Sequence, residues 1–384
     1  MKQYINKAAG LFFVLCVMFI PFLHKELQSG ITRFIFLKPV KGLGSLCFEN
    51  PIILADFSSD TRSLLLLLIF LGIISCSAAF FLKKKQPEIL WVCKTVTLYF
   101  LAYVLLKYGL DKVFCRQFYQ PAPNILYTPF GNLDKDILFW STIGTSPTYS
   151  IITGSIEVLA ALLLFFRRTR TVGLLLALAA LIQVVIINFS FDISVKIFSV
   201  LLTAMALYLL APQLKSMYNF LVLQKMALLP QLFQVNMPVY IKMGVKFFVI
   251  GLMLIETLSS QFFDEAPNPL TGAYEVTEYT LEGKIQNPRN TLIRRIFIHP
   301  KNYIILQKTD DTMTDFHFEH ILQKKLLLLS DVIGNTYEVY YKQEGKSMVF
   351  SFSDGRRVTT TPLPWQQLPA LQNKFHFFVD EIDK

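Results

Sequence analysis

The sequence predicts a membrane all-α helical bundle of about seven spans, followed by an all-β extracytoplasmic domain, either a sandwich or a small barrel. Three observations carry this. Of 384 residues, 53% are hydrophobic and only 17% charged, against a usual charged share of about 25%. The apolar residues gather into runs of membrane-spanning length before residue 267. After it the chain alternates, and turn residues punctuate it.

Seven runs stand out, at roughly 8–23, 63–82, 89–108, 148–166, 171–190, 195–212 and 243–260. Several reach the ~20 residues that cross ~30 Å of hydrocarbon. The first follows Lys2 and Lys7, as a signal peptide would, but it ends IPFLHKEL with no small-x-small cleavage site. It reads as an uncleaved span. The intervening residues 24–62 read as an outer loop. Residues 264–272, DEAPNPLTG, form a Pro/Gly-rich hinge. Beyond it AYEVTEYTLEG, LIRRIFIHP, NYIILQK, TYEVYYKQEG and SMVFSFSDGRR alternate like strands, and KQEGK and FSDGR have hairpin-turn composition. The expected domains are two N-terminal spans with their loop (1–87), a four-helix core (88–212), a cytoplasmic loop with the seventh span (213–266) and the β-domain (267–384).

The net charge of +10 comes from 37 basic and 27 acidic residues. Residues 1–266 hold 23 and 13 of them; residues 267–384 hold 14 and 14. The excess therefore sits between apolar runs, as cytoplasmic loops require, and not on a nucleic-acid-binding face. Lys2, Lys7, Lys83–Lys85, Arg167, Arg168, Arg170, Lys215, Lys225 and Lys242 share one side if the N-terminus is cytoplasmic. The β-domain is then outside, in a bacterial inner membrane the periplasmic side.

Glu157 interrupts the fourth run, YSIITGSIEVLAALLLFFRRTR. It lies ten residues before Arg167, or ~15 Å along a helix, near the midplane. An acid there costs about 2.5–3.5 kcal/mol, so it calls for a protein-facing position and a partner. Gly154, Ala160 and Ala161 share its face and suit close helix packing. Partner candidates follow the third run, where Tyr103 and Lys107, then Tyr108 and Lys112, are i,i+4 pairs, with Gln117 just beyond. In INFSFDISVKIFS, Asn188, Asp192 and Lys196 are spaced by four. Asp192 and Lys196 are expected to pair at the outer boundary, with Asn188 inward. Together Glu157, Tyr108, Lys112, Gln117, Asn188, Asp192 and Lys196 outline either a polar ligand cavity or polar glue between helices. Residues 116–140, aromatic and proline-broken, are expected along the outer membrane surface, with Tyr127 and Trp140 as anchors, or as a lid.

The stretches YGLDKVFCRQFYQP, FWSTIGTSPTYSIITGSIEVLAALLLFFRRTRTVG and NFSFDISVKIFS resemble the DoxX family of bacterial membrane proteins, over about residues 94–212. The resemblance implies a four-helix membrane core and membership of a quinone-linked redox system, with quinone as the candidate cofactor. It brings no universal catalytic motif to transfer. The functional expectation is a small-ligand- or quinone-binding component of a membrane redox system with a redox partner. The rival is a non-enzymatic anchor whose β-domain binds a protein or envelope ligand. Transport is a third, weaker reading.

Other chemistry finds no motif. Cys16, Cys76 and Cys93 fall in spans, where packing explains them. Cys47 and Cys115 fall in outer loops and would be placed to pair if the loops met. There is no C-x-x-C, P-loop, H-E-x-x-H or G-x-S-x-G. The histidines, His24, His299, His317, His320 and His376, include no haem pair within a span. His317 and His320 would share a metal on a helix but face opposite sides on a strand.

Overall fold

Ten α-helices precede nine β-strands among the described residues. The computed structural model describes residues 2–372 except 24, 50–51, 53–54, 83–86, 227, 229, 231–237, 263–267, 282–283, 287–292, 332 and 346. His24, the Lys83–Lys85 cluster, residues 264–267 of the expected hinge and His376 lie outside the described residues.

The helices are α1 (Lys2–Phe19), α2 (Lys25–Cys47), α3 (Arg62–Phe81), α4 (Pro87–Val113), α5 (Pro123–Leu126), α6 (Lys135–Gly144), α7 (Pro147–Phe165), α8 (Arg170–Ser190), α9 (Lys196–Leu221) and α10 (Val239–Phe262). Five of them, α3, α4, α7, α8 and α9, are long and apolar enough to cross a membrane. The chain is thus a multi-pass membrane protein. The first expected span is α1, whose apolar stretch Gln3–Phe19 is shorter, and α10 occupies the position of the seventh.

The chain forms two compact units: Met1–Gln117 with Ser150–Phe262, and Phe118–Tyr149 with Phe263–Lys384. In the helical unit, α4 is central. It buries Leu98 and every residue from Phe100 to Leu106, because an apolar all-round helix finds neighbours on every side. By contrast α8 exposes Val172, Leu175, Ile182, Ile186 and Phe189. Such a face suits lipid, where backbone polar groups must be satisfied within the helix.

The expected outer loop 24–62 is instead largely the helix α2. Its buried residues Gln28, Thr32, Phe36, Val40 and Gly44 recur every fourth position. Two are polar, so the stripe does not read as amphipathic by hydropathy. They are buried because they cap α1. The Gln28 side-chain oxygen accepts from the Phe22 and Leu23 amides at 2.8 and 2.9 Å. Its amide donates to the Val17 carbonyl at 3.0 Å, and the Thr32 hydroxyl donates to the Phe19 carbonyl at 2.7 Å. Helix-end groups that would otherwise lack partners are satisfied in this way.

The second unit is a closed antiparallel barrel. Its strands are β1 (Gly272–Leu281), β2 (Lys284–Gln286), β3 (Ile293–His299), β4 (Tyr303–Lys308), β5 (Met313–Ile321), β6 (Leu326–Ser330), β7 (Thr336–Glu344), β8 (Ser347–Phe352) and β9 (Arg356–Pro362). Neighbours pair in order from β3 to β9, β1 joins β3, and β1 pairs β9 from Tyr274↔Pro362 to Leu281↔Arg356. Eight strands therefore close with no free edge, and β2 is a short extension on β1. Of the two sequence expectations, sandwich or barrel, the barrel is realised. Inward residues such as Ile296, Ile298, Ile304, Phe318, Leu327, Val339, Phe350 and Val358 fill it, as expected of a small barrel. Gly345 and Gly355 take positive φ at the β7–β8 and β8–β9 turns, where a residue with a Cβ would be strained.

Segment 118–149 belongs to this barrel unit. It extends the expected β-domain, 267–384, by a segment that lies between α4 and α7 in the chain. Phe297 faces outward on β3, opposite Ala273 and Ile305, yet Phe297 and Ala273 are buried. Tyr127 stacks on Phe297, with ring centroids 5.9 Å apart. Trp140 packs against Phe118 at 5.1 Å. These aromatics serve the protein's own packing.

Candidate functional site

The expected site begins with Glu157 on α7. It is 6% exposed, and its partner is Lys112 on α4, also 6% exposed. The Lys112 Nζ and Glu157 Oε1 form a salt bridge. Two glycines one turn away explain why α4 and α7 come close enough. A Cβ on Gly154 would lie 2.5 Å from the Gly109 carbonyl oxygen, and one on Gly109 would lie 2.9 Å from the Gly154 carbonyl oxygen. No side chain separates the backbones there. The Ser150 hydroxyl adds a 2.7 Å hydrogen bond to the Lys112 carbonyl. Opposite charges at this separation, shielded from solvent, attract strongly but also cost desolvation; removing either one leaves the other stranded.

Tyr108 is half-buried beside Phe22, with centroids 5.8 Å apart. The first pair of α4 candidates separates, because Tyr103 turns to α10. Its hydroxyl donates to Glu256 Oε1 at 2.7 Å. Gln117 and Asn188 each bury a polar atom, Oε1 and Nδ2, that lacks a hydrogen-bond partner among the described residues. Asn188 is only 4% exposed, inward-facing.

Lys196 forms a second centre. Its ammonium is 2.6 Å from Asp192 Oδ1 and 3.8 Å from Asp60 Oδ2. Asp60, from the segment before α3, was not among the sequence candidates. Its carboxylate accepts from the Lys196 and Ile197 amides at 2.7 and 2.8 Å, capping α9 across 136 residues of sequence. The Asp60 amide donates to the Ser194 carbonyl at 3.1 Å. A signal did exist: α9 begins after Val195, which makes no side-chain cap. A helix start without its own cap needs one from elsewhere.

A groove of about 490 Å³ is lined by residues of α1, α3, α8 and α9, among them Phe12, Phe13, Leu68, Phe189 and Val200. Asp60 and Lys196 stand in its wall, and its accessible lining is apolar. None of Glu157, Lys112, Tyr108, Gln117, Asn188 or Asp192 lines it. The expected site residues therefore fall into separate places: an ion pair between α4 and α7, a cap at the start of α9, and isolated buried amides.

All five cysteines are free, so Cys47 and Cys115 are not joined. Cys16 and Cys93 are buried, but Cys76 is exposed on α3, against the packing role expected for it. On β5, His317 and His320 face opposite sides. His317 lies against Tyr303 at 3.9 Å, and His320 Nε2 is 2.8 Å from the Tyr341 hydroxyl. Among the described residues no three His, Cys, Asp or Glu gather as metal ligands.

Over 111 residues the chain is 35% identical to the uncharacterized protein YwoB of Bacillus subtilis, a stretch that is 29% of this chain and 70% of YwoB. The chain belongs to the YwoB family. No family model matches the sequence, and no solved structure does. For this YwoB-family chain the relative's name carries no activity, so the function must be argued from the residues.

Proposed function

We propose that the protein is a non-enzymatic membrane anchor. Its helical unit holds the barrel outside the cytoplasm, in a bacterial inner membrane, and the barrel binds a protein or envelope ligand. The observation that carries this reading is the matched pair Lys112–Glu157 at a glycine crossing. An intramembrane acid already committed to a cation, with backbones in contact beside it, acts as a helix-to-helix fastener.

Connectivity supports the sidedness. Residues 118–149 leave α4, pack on the barrel and enter α7. An even number of crossings must then separate the start of α7 from β1. Helices α7, α8, α9 and α10 supply it if α10 crosses as well. Arg167, Arg168, Arg170, Lys215 and Lys225 then lie on the cytoplasmic side, in keeping with the charge rule.

The apolar groove favours a second reading, the quinone-linked redox component implied by the DoxX resemblance. The groove fits an isoprenoid chain by its lining. It fits a redox headgroup poorly, since Lys196 is engaged by Asp192 and Asp60. No electron-transfer step is derived from it. The test is solvent extraction of the purified protein with mass spectrometry for quinones, beside the charge-matched double variant Lys112→Met/Glu157→Gln. The anchor reading expects no stoichiometric quinone in either. Stoichiometric quinone in the wild type would overturn it, whether or not the folded double variant retains the quinone.

A further inference from the structure

The antiparallel pair α1/α3 fixes where α2 lies. The Tyr4 hydroxyl donates to the Cys76 carbonyl at 3.0 Å, so the start of α1 is level with the end of α3. The end of α1 is then level with the start of α3. Helix α2 touches this same level at both its ends. Gln28 and Thr32, near its start, cap α1 at Val17 and Phe19. Gly44, near its end, sits against Ile52 and Leu66, and Arg62 lies 5.0 Å from the ring of Phe48 just beyond α2. A helix whose two ends meet one end of a transmembrane pair does not cross the bilayer.

Its exposed surface has a defined order. Leu27, Ile31, Phe34 and Ile35 are exposed, Phe34 at 91%, and their spacing of i, i+4, i+7, i+8 makes one stripe. Lys38 and Lys41 continue that stripe and are exposed, and Lys25 and Arg33 are two further exposed cations of the helix. Glu26 is the only acid within α2. Water would penalise the apolar part of the stripe, and the hydrocarbon centre would penalise the basic part. Only the boundary between them suits both.

We propose that α2 is an in-plane interfacial helix that binds anionic phospholipid headgroups through Lys38 and Lys41, with Leu27, Ile31, Phe34 and Ile35 in the acyl region. The side chains of the two lysines reach the phosphates while their stems lie along the apolar surface. Each basic residue held at an anionic membrane surface strengthens the attraction to it roughly fivefold.

The test uses the full-length protein carrying Phe34→Trp, a change at a surface position, in phosphatidylcholine vesicles. These contain either brominated phosphatidylcholine or brominated phosphatidylglycerol at equal mole fraction. The three native tryptophans are subtracted with the parent protein. The expected result is several-fold stronger quenching by the phosphatidylglycerol probe, which Lys38→Gln/Lys41→Gln reduces to the phosphatidylcholine level. Equal quenching by both probes before the lysines are changed would overturn the headgroup preference. No quenching by either would overturn the in-plane placement. Persistence of the preference in the double lysine variant would remove the lysines from the recognition.

Discussion

In the helical unit, Lys112 on α4 and Glu157 on α7 form an ion pair across two helices. In the barrel unit, Arg295 divides its guanidinium among several groups. It lies 4.6 Å over the Tyr127 ring, donates to Gln307 Oε1 at 3.2 Å and stands 4.0 Å from Glu275 Oε1. Gln307 in turn donates to the Tyr127 carbonyl and to Asp311, each at 3.1 Å. Each arrangement fastens two pieces of chain. The first depends on one matched pair where unpaired charge is very costly. The second is a mesh in which each strand of the attachment is modest. The surroundings set the difference. Buried between helices, a charge has few partners to fall back on, whereas a barrel surface offers neighbouring side chains at every register position.

The contrast is sharpest if one partner is removed. Lys112→Met leaves Glu157 buried without its cation and is expected to cost roughly 3–5 kcal/mol. Lys112→Met/Glu157→Gln is expected to recover most of that loss. Unfolding of the purified protein in graded denaturing detergent measures both. A double variant as unstable as the single one would break the matched-pair account. Next in size is Gly154→Ala, whose methyl group has no room against the Gly109 carbonyl and would force α4 and α7 apart. Its expected cost is about 1–3 kcal/mol, read in the same titration, and a neutral result would show that the crossing is not held closed.

In the mesh the expected effects are smaller. Tyr127→Ala removes one stack and one cation–π contact, roughly 1–2 kcal/mol. Faster protease cleavage within 118–149, with the barrel's spectroscopic signature retained, is the expected outcome; loss of the whole barrel fold would mean that Tyr127 does more than fasten the segment. The smallest effect is set by pH. Asn268 Nδ2 lies 3.3 Å from His320 Nδ1, and its own oxygen already accepts from the Leu270 amide at 3.0 Å. His320 Nδ1 must then be the acceptor, so the ring is neutral, with Nε2 donating to Tyr341. Burial lowers the pKa of His320, and burial with Lys301 lowers that of His299. An unfolded histidine binds its proton more readily than these do. Their stabilising contribution is therefore full above about pH 6.5 and is lost as the pH falls through their lowered values. Thermal melts across that range should show the decline, and His320→Gln should lessen it. An unchanged slope in that variant would remove His320 from the account.

The same contrast governs what could be read from residues alone. Glu157 announced itself because a lone acid in an apolar run is costly, and Lys112 was one of few cations in reach. The alternating strands were legible because a period of two has few other causes. The helix α2 was not, since its inward stripe includes Gln28 and Thr32 and its outward stripe carries leucine, isoleucine and phenylalanine. Hydropathy thus pointed the wrong way on both faces. Asp60 was hidden by sequence distance. The packing of segment 118–149 on the barrel was not legible, because an aromatic belt at a membrane and an aromatic strap on a barrel have the same composition.

The attachment of Tyr127 to Gln307 spans 180 residues of sequence. A ribosome adding about 5–20 residues per second needs roughly ten to forty seconds to cover that distance. For most of this interval Phe118, Tyr127 and Trp140 are already made, while Gln307, which holds the Tyr127 carbonyl, is not. The barrel cannot close earlier either, because β1 waits for β9, the last strand among the described residues. Biogenesis therefore has a built-in delay, during which an aromatic segment and an open strand edge await the synthesis of β9, and a chaperone or the membrane itself has work to do there.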